Sequence, residues 1–459
     1  MSIFRKLNEF KNRTAIILDG NEVISYSKLL KDSKNVTDKV KKRSLILILG
    51  GNNYETISSY IGLINVKSVI LMLDKNISQS FLVDIIKDYK PNFIFSPKQR
   101  VIPKSYSIFY DFKDYKILKQ NINSEIKLNK DLSVLLTTSG TTGSKKFVKQ
   151  SYKNYEDNSK KIIDSLGIKK NSSVITTLPI SYTYGLSIIN THLISGATII
   201  LNESSILNQK FWSLYNKFKP KNFYGVPFIF EMINRIGFSK LLNNKLNVIA
   251  NAGGAINKNL FIKIAKLSKN KNIKFYNMYG QTEATSRMSV LNFRYSLHKP
   301  TSIGKPLKGA KFYLLSDKNK SISKANVSGN LFYKGKNVTL GYSNSFNDLS
   351  KKDKNKELIN TGDLAKFDEE GFFYIVGRKK RFIKLFGNRI SLDEIEKLVS
   401  EMGFKIKCVN TDDKLMIKYM SDKIDVNMIK KKLSNLFQIN PRYIDFKYQS
   451  NFNNKEKSL

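Results

Sequence analysis

Residues 137–149 read Thr-Thr-Ser-Gly-Thr-Thr-Gly-Ser-Lys-Lys-Phe-Val-Lys, the most informative stretch of this chain. Glycines let a backbone approach phosphate oxygens closely, hydroxyls donate hydrogen bonds to them, and a lysine adds positive charge. An apolar strand is predicted over 133–136 and a helix from Tyr152, so the loop should lie at a strand's carboxyl end, where α/β sheets bind ligands. The stretch therefore predicts a polyphosphate-binding loop. Its candidate ligands are Thr138, Ser139, Gly140, Thr141, Thr142, Gly143 and Lys146.

This loop is not of the Walker type, in which Gly-x-x-x-x-Gly-Lys is followed by Ser or Thr. Here the two glycines stand three residues apart and no hydroxyl follows the lysine pair. Clusters of Ser, Thr and Gly also form ordinary surface turns. Taken by itself, the stretch leaves that alternative open.

Three further motifs follow the loop. They are Tyr279-Gly-Gln-Thr-Glu283, Thr361-Gly-Asp363 and the segment 377–396, Gly-Arg-Lys-Lys-Arg-Phe-Ile-Lys-Leu-Phe-Gly-Asn-Arg-Ile-Ser-Leu-Asp-Glu-Ile-Glu. In this order the motifs resemble those of adenylate-forming enzymes, the superfamily of acyl-CoA synthetases, peptide-synthetase adenylation domains and firefly luciferase. The resemblance spans nearly the whole chain.

Length and composition predict a globular protein of two or more domains, because 459 residues with 41% hydrophobic content exceed one ordinary core. No secretory pattern opens the sequence, and its apolar runs are shorter than the roughly 20 residues that cross a bilayer. A cytoplasmic enzyme without a membrane span is expected. Cys408 is the single cysteine of the sequence, which excludes an internal disulfide. With only two histidines, His192 and His298, a His-based zinc site or a Ser-His-Asp triad is hard to assemble.

The net charge of +42 could suggest nucleic acid or an anionic membrane as a partner. However, the lysines are scattered, and no arginine-rich arm or aromatic RNA-binding signature accompanies them. We expect no specific nucleic acid partner and interpret the charge as attraction for ATP, CoA or a carrier protein.

The fold class predicted is α/β, with a large layered N-terminal domain of mixed sheets over 1–376. A hairpin over 14–26 and a β-α-β unit over 45–73 open it, and strands then alternate with helices. Short strands and glycine turns from about 299 to 376 predict a β-rich subdomain. Residues 377–380 are the expected hinge, and 381–459 a small, mobile α+β domain in which Ser391 and Glu394 form a capping box.

The resemblance implies how the nucleotide is held. Glu283 would hold Mg²⁺ on the phosphates, and Thr282 would touch the α-phosphate. The Asp363 carboxylate is suited to accept two ribose hydroxyls, and Arg378 matches the second ribose contact. The adenine site would consist of Gly253, Gly254, Ala255 and Tyr279, and Gly280 would also bind the nucleotide.

The resemblance also assigns roles to the tail. A lysine near the C-terminus would contact the carboxylate and α-phosphate during adenylation; Lys455 matches best, although Asn454 replaces the usual preceding glycine and Lys457 is an alternative. Lys380 matches the hinge. Lys384 to Gly387 matches the segment that enters the site for the second step, where a glycine leaves room for a pantetheine arm.

The acyl pocket is predicted in the segment 178–186, with Val226 and Pro227 contributing. Amino-acid-activating relatives place an Asp there for the substrate ammonium, whereas this chain has Thr183, which argues against an α-amino acid. The pocket residues are Tyr182, Thr183, Tyr184 and Gly185.

The function predicted is that of an ATP- and Mg²⁺-dependent carboxylate–thiol ligase. A carboxylic acid would first form acyl-AMP, then a thioester with CoA or a carrier-protein pantetheine. Four alternatives stay open: an acyl-AMP ligase serving another nucleophile, an amino-acid-activating adenylation enzyme, a non-catalytic binding module and a lysine-rich RNA-binding protein. Oligomeric state is not predicted.

Overall fold

The computed structural model describes residues 3–40, 43–122, 125–137, 146–378, 382–385, 388–402, 404, 406–411, 414–420, 424–437 and 439–449. The described chain divides into two compact units. The first consists of residues 1–137 and 146–377, and the C-terminal part of the second begins at Arg378.

The elements alternate between strands and helices along most of the chain. The strands are β1 (Thr14–Ile17), β2 (Val23–Ser25), β3 (Leu45–Gly50), β4 (Val69–Asp74), β5 (Phe93–Pro97), β6 (Tyr106–Phe112), β7 (Tyr115–Gln120), β8 (Leu132–Thr137), β9 (Phe147–Ser151), β10 (Ser173–Ile175), β11 (Thr198–Ile200), β12 (Asn222–Gly225), β13 (Val248–Asn251), β14 (Lys274–Tyr279), β15 (Ser289–Leu291), β16 (Lys305–Pro306), β17 (Lys311–Leu315), β18 (Gly329–Lys334), β19 (Tyr342–Ser343), β20 (Leu358–Phe367), β21 (Phe373–Arg378), β22 (Phe382–Leu385), β23 (Asn388–Ser391), β24 (Ile406–Thr411), β25 (Lys414–Tyr419) and β26 (Ile444–Tyr448). The helices are α1 (Tyr26–Thr37), α2 (Tyr54–Asn65), α3 (Gln79–Tyr89), α4 (Tyr152–Leu166), α5 (Thr183–Ile194), α6 (Gln209–Phe218), α7 (Pro227–Ile236), α8 (Lys258–Asn270), α9 (Leu392–Glu401) and α10 (Val426–Phe437).

Two large mixed sheets build the first unit. One has eight strands in the order β19-β9-β8-β4-β3-β5-β7-β6, and the other has nine in the order β16-β15-β14-β13-β12-β10-β11-β1-β2. Strand β3 is buried along its whole length because it lies between β4 and β5, both parallel to it. Such strands read as continuous apolar runs, as residues 45–49 do. One apolar core joins side chains of both sheets.

A smaller sheet in the first unit has the order β17-β18-β20-β21. It packs around its own apolar cluster, which includes Phe312, Leu331 and Tyr333. This sheet corresponds to the β-rich segment expected from about residue 299.

The second unit contains a three-stranded sheet, β24-β25-β26, the β22–β23 pair, and α9 and α10. Its core includes Ile395 of α9, Ile417 of β25 and Leu433 of α10. The predicted α/β class with mixed sheets is confirmed. No described helix has the length and apolar content needed to cross a membrane.

Candidate active site

The two strands that flank the predicted phosphate loop pair with each other. Strands β8 and β9 are antiparallel, with Thr137 opposite Phe147. The strand before the loop and the helix start at Tyr152 agree with the sequence, but residues 147–149, which were read as part of the loop stretch, lie in β9. The predicted loop residues Thr138, Ser139, Gly140, Thr141, Thr142 and Gly143 lie outside the described residues.

Strand β9 escaped sequence analysis because its polar residues are buried. Lys149 is 2% exposed, and its ammonium donates to the carbonyl oxygens of Asp348, at 3.1 Å, and Lys351, at 3.3 Å. Burial lowers the pKa of Lys149. A lysine next to a predicted phosphate-binding loop would be expected to contact a ligand. Lys149 instead binds the backbone of the segment 348–351.

Lys146, Tyr342 and Glu283 meet beside the end of this loop. The Lys146 ammonium lies 3.7 Å from the centre of the Tyr342 ring, and the Tyr342 hydroxyl donates to Glu283 Oε1 at 2.8 Å. Burial and the Glu283 charge raise the pKa of Tyr342, so its hydroxyl stays protonated and keeps donating. Tyr342 was not predicted. It stands in the short strand β19, opposite Val148 of β9, and no local motif marks it.

The turn after β14 holds Glu283 in place. Thr282, Glu283 and Ala284 form a single turn of 3₁₀-helix, in which Gln150 donates to the Thr282 carbonyl at 3.0 Å and the Thr339 amide to the Glu283 carbonyl at 3.0 Å. A β-carbon on Gly280 would lie 1.6 Å from the Ser286 carbonyl oxygen. Gly280 is therefore required by the tightness of the turn itself.

Asp363 and Tyr279 are brought together from different sheets. Asp363 is 1% exposed, and the Tyr279 hydroxyl donates to its Oδ2. Thr361-Gly-Asp, which alone reads as a common turn, lies inside β20 at an irregularity in its pairing with β18. There Gly362 has φ +74° and the Asp363 amide donates to Thr361 Oγ1 at 3.1 Å. The irregularity sets the direction of the carboxylate.

The predicted adenine loop follows β13. Gly253 has φ +81°, and a β-carbon there would lie 2.9 Å from the Tyr182 hydroxyl. Asn251 stabilises the turn by donating to the Gly254 carbonyl at 3.2 Å and to Asn277 Oδ1 at 2.8 Å. Gly253 of the predicted adenine loop therefore lies against Tyr182 of the predicted acyl segment.

Helix α5 carries the rest of that segment. Thr183 and Tyr184 are buried in its first turn, where the Tyr184 hydroxyl donates to the Ala250 carbonyl at 3.2 Å. A β-carbon on Gly185 would lie 2.1 Å from the Pro179 carbonyl oxygen, so this glycine permits close backbone packing.

A buried arginine next to Tyr184 was missed by sequence analysis. Arg287 is 1% exposed; its Nη1 donates to Ser187 Oγ at 3.1 Å, and its Cζ lies 4.4 Å from the centre of the Tyr184 ring. The available signal was an arginine within the hydroxyl and apolar run 285–291, just before β15.

Most of the predicted tail residues lie outside the described part of the chain. These are Lys380, Gly387, Lys455 and Lys457. Arg378 ends β21 and Lys384 lies in β22, but their side chains are not described. Strands β22 and β23 are antiparallel, with Leu385 opposite Asn388.

The arrangement agrees with what the resemblance to adenylate-forming enzymes predicts. The Lys146 ammonium and the Glu283 carboxylate both contact Tyr342, and Glu283 lies in the tight turn that Gly280 permits. The buried Asp363 carboxylate accepts a hydrogen bond from Tyr279, the residue just before Gly280. The model of AMP-binding enzymes matches residues 3–343, and the chain belongs to this family. The predicted class, an AMP-forming acid–thiol ligase, is confirmed.

Individual relatives support the same class. The chain is 27% identical over 419 residues to 2-succinylbenzoate–CoA ligase of Oceanobacillus iheyensis, covering 85% of this chain and 81% of that protein. It resembles a double mutant of o-succinylbenzoate CoA synthetase from Bacillus subtilis bound with a product analogue, with TM-score 0.79, 19% identity, and 100% and 96% of the two chains covered. The B. subtilis enzyme in complex with ATP and magnesium ion gives TM-score 0.69 and 19% identity, with 98% and 96% covered. At these identities the solved structures establish the fold.

Proposed function

We propose that this chain activates an aryl acid of the 2-succinylbenzoate type and transfers it to CoA. In the first step a carboxylate oxygen of the acid bonds to the α-phosphorus of ATP and pyrophosphate leaves. In the second step the sulfur of CoA bonds to the acyl carbon, AMP leaves and the thiol proton is released. CoA is preferred over a carrier protein because the relative from Oceanobacillus iheyensis is a CoA ligase.

The observation that carries the proposal is the meeting of Lys146, Tyr342 and Glu283 beside the predicted phosphate loop. Mg²⁺ typically uses one or two carboxylates together with substrate phosphates and waters. Glu283 fits this requirement, since Tyr342 orients its carboxylate and Lys146 adds a second positive charge nearby. The bound ion would neutralise phosphate charge as pyrophosphate leaves.

The remaining residues would bind and orient the nucleotide and the acyl group. Asp363, pre-oriented by Tyr279, would accept ribose hydroxyls. The other proposed roles are the loop residues 138–143 and Thr282 for the phosphates, Arg378 for the ribose, Gly253, Gly254, Ala255 and Tyr279 for the adenine, Gly280 for nucleotide binding, Tyr182, Thr183, Tyr184 and Gly185 for the acyl pocket, Lys455 for adenylation, and Lys380, Lys384 and Gly387 for the hinge and thiol path.

Acid-dependent exchange of labelled pyrophosphate into ATP tests the first step. We expect exchange with 2-succinylbenzoate, and AMP release with thioester formation once CoA is added. Exchange without any CoA-dependent AMP release would indicate a different nucleophile. Efficient exchange with an α-amino acid would contradict the proposed acid class, because the buried pocket residue Thr183 offers no carboxylate for an ammonium group.

A further inference from the structure

Arg287 is a buried cation whose charge is not balanced by the protein around it. A guanidinium has five N–H donors, and buried charges are normally paired. Among the described residues, none forms an ion pair with Arg287. Its Nε is buried with no hydrogen-bond acceptor, although the side chain is 1% exposed.

Among the residues that the structure describes, those in contact with the Arg287 guanidinium are aromatic or hydroxylic, and none carries a negative charge. Its Cζ lies 4.4 Å from the Tyr184 ring centre and 5.8 Å from that of Tyr224. Ser187 Oγ accepts from Arg287 Nη1 and from Ser286, each at 3.1 Å, and itself donates to the Tyr184 carbonyl at 2.7 Å, so its bonding capacity is used. These contacts hold the guanidinium in place without neutralising it.

The same region contains further buried donors without acceptors. The Tyr224 hydroxyl and Thr183 Oγ1 are both buried with no hydrogen-bond partner. His192, whose ring lies 5.5 Å from that of Tyr224, is neutral because burial and, to a smaller extent, the Arg287 charge lower its pKa to about 4. Unsatisfied donors and an unbalanced cation together favour an anionic ligand group over a purely structural role.

We propose that Arg287 binds a second, non-reacting carboxylate of the acid substrate and so selects diacids over monoacids. The inference rests on the proposed function and names the residue that sets its substrate class. Arg287 stacks on Tyr184, which lies in the first turn of α5. The residue that caps this helix, Tyr182, lies against Gly253 of the predicted adenine loop. A guanidinium can bind a carboxylate through two parallel hydrogen bonds, which a point charge such as lysine does not reproduce.

The test compares pyrophosphate exchange on 2-succinylbenzoate and on its two monomethyl esters, each of which keeps one free carboxylate. The variants are Arg287→Met, Arg287→Lys and, as a matched control, Arg235→Met at an exposed position of α7. We expect wild type to prefer the diacid over the ester that still reacts. Arg287→Met should lower kcat/KM for the diacid about 100-fold, mainly through KM, and change that of the reacting ester less than about threefold. Arg287→Lys should recover part of the loss, and Arg235→Met should match wild type.

Equal losses on diacid and ester in Arg287→Met, with its melting temperature unchanged, would overturn the proposal in favour of a structural role. If Arg287→Met does not fold, the test uses the wild-type protein with each ligand in turn. The proposal is overturned if the diacid raises the wild-type melting temperature no more than the monoesters do. A wild-type enzyme that activates monoacids but not the diacid would also overturn the proposal. Diacid exchange without thioester formation on CoA would instead contradict the proposed function and leave the role of Arg287 standing.

Discussion

At the scale of single residues, Tyr342 is the side chain that joins Lys146 to Glu283. Tyr342→Phe keeps the ring beneath the Lys146 ammonium but removes the hydrogen bond to Glu283 Oε1. We expect adenylation to fall about tenfold, because Tyr342 would no longer donate the hydrogen bond that orients Glu283, the proposed metal ligand. The Mg²⁺ concentration required for half-maximal exchange should rise.

Two other variants define the range of this effect. Glu283→Ala should reduce exchange far more, by about 100-fold or beyond, because it removes the proposed metal ligand itself. Tyr313→Phe, at an exposed position of β17, is the matched control and should behave as wild type. A Tyr342→Phe enzyme with wild-type exchange and Mg²⁺ requirement would show that Glu283 does not depend on Tyr342.

His192 should make stability depend on pH. Its Nδ1 lies 2.8 Å from the Ile188 carbonyl oxygen and therefore carries the proton, so Nε2 accepts from Asn222 at 3.1 Å. A second proton would face the Asn222 donor, and burial lowers the pKa of His192 from 6.5 to about 4. Because the unfolded chain binds this proton first, the stabilisation is present above pH 6.5 and is lost as pH falls toward 4, by on the order of 3 kcal/mol.

Denaturant unfolding between pH 7 and 4 measures that loss. His192→Gln should show a shallower decline than wild type over this interval, while the same change at exposed His298 should leave the slope unaltered. Parallel pH profiles for wild type and His192→Gln would refute the assignment.

At the scale of elements, the irregularity in β20 directs Asp363. Gly362 has φ +74°, and a β-carbon there would meet nothing within 4 Å, so Gly362→Ala strains the backbone without a steric clash. Gly309→Ala is a matched control, since it has φ +76° and equally open surroundings outside the predicted site. Both variants should lose about 1 kcal/mol of stability. Only Gly362→Ala should raise the KM for ATP. An equal KM for ATP in both variants would show that nucleotide binding does not depend on the orientation of Asp363.

At the scale of the whole molecule, the two half-reactions are expected to use different parts of the C-terminal unit. Lys455 and Gly387 lie far apart in the sequence of one small domain, which cannot easily present both to one site at once. Lys455→Ala should abolish acyl-AMP formation yet preserve thioester formation from supplied acyl-AMP. Gly387→Leu should do the reverse, because a bulky side chain would obstruct the thiol.

Each half-reaction is measured in both variants, by pyrophosphate exchange and by CoA-dependent consumption of acyl-AMP. Equal losses in both steps would exclude alternation between two arrangements of the domain. A fully active Lys455→Ala enzyme would transfer the adenylation role to Lys457.

The sequence predicted the structure correctly where the physical signal is local. The apolar run over 45–49 predicts the strand β3, and the Tyr-Gly-Gln-Thr-Glu and Thr-Gly-Asp motifs predict the family, because a few adjacent residues encode each of them. Strand β9 was missed, because the polar residues Lys149 and Gln150 suggest an exposed segment. In the structure both are buried and donate hydrogen bonds to carbonyl oxygens of residues distant in the sequence. Propensity does not register such tertiary partners.

The sequence by itself therefore determined the α/β class, the family and the order of the nucleotide-binding motifs, since each depends on residues close together in the chain. Tertiary structure alone decided that Tyr342 joins Lys146 to Glu283, that Tyr279 meets Asp363, and that Arg287 is buried beside Tyr184 with no ion pair to any described carboxylate. These contacts join segments far apart in the sequence. Their existence depends on strand register and on the packing of α5 against the sheets, which no local pattern of residues specifies.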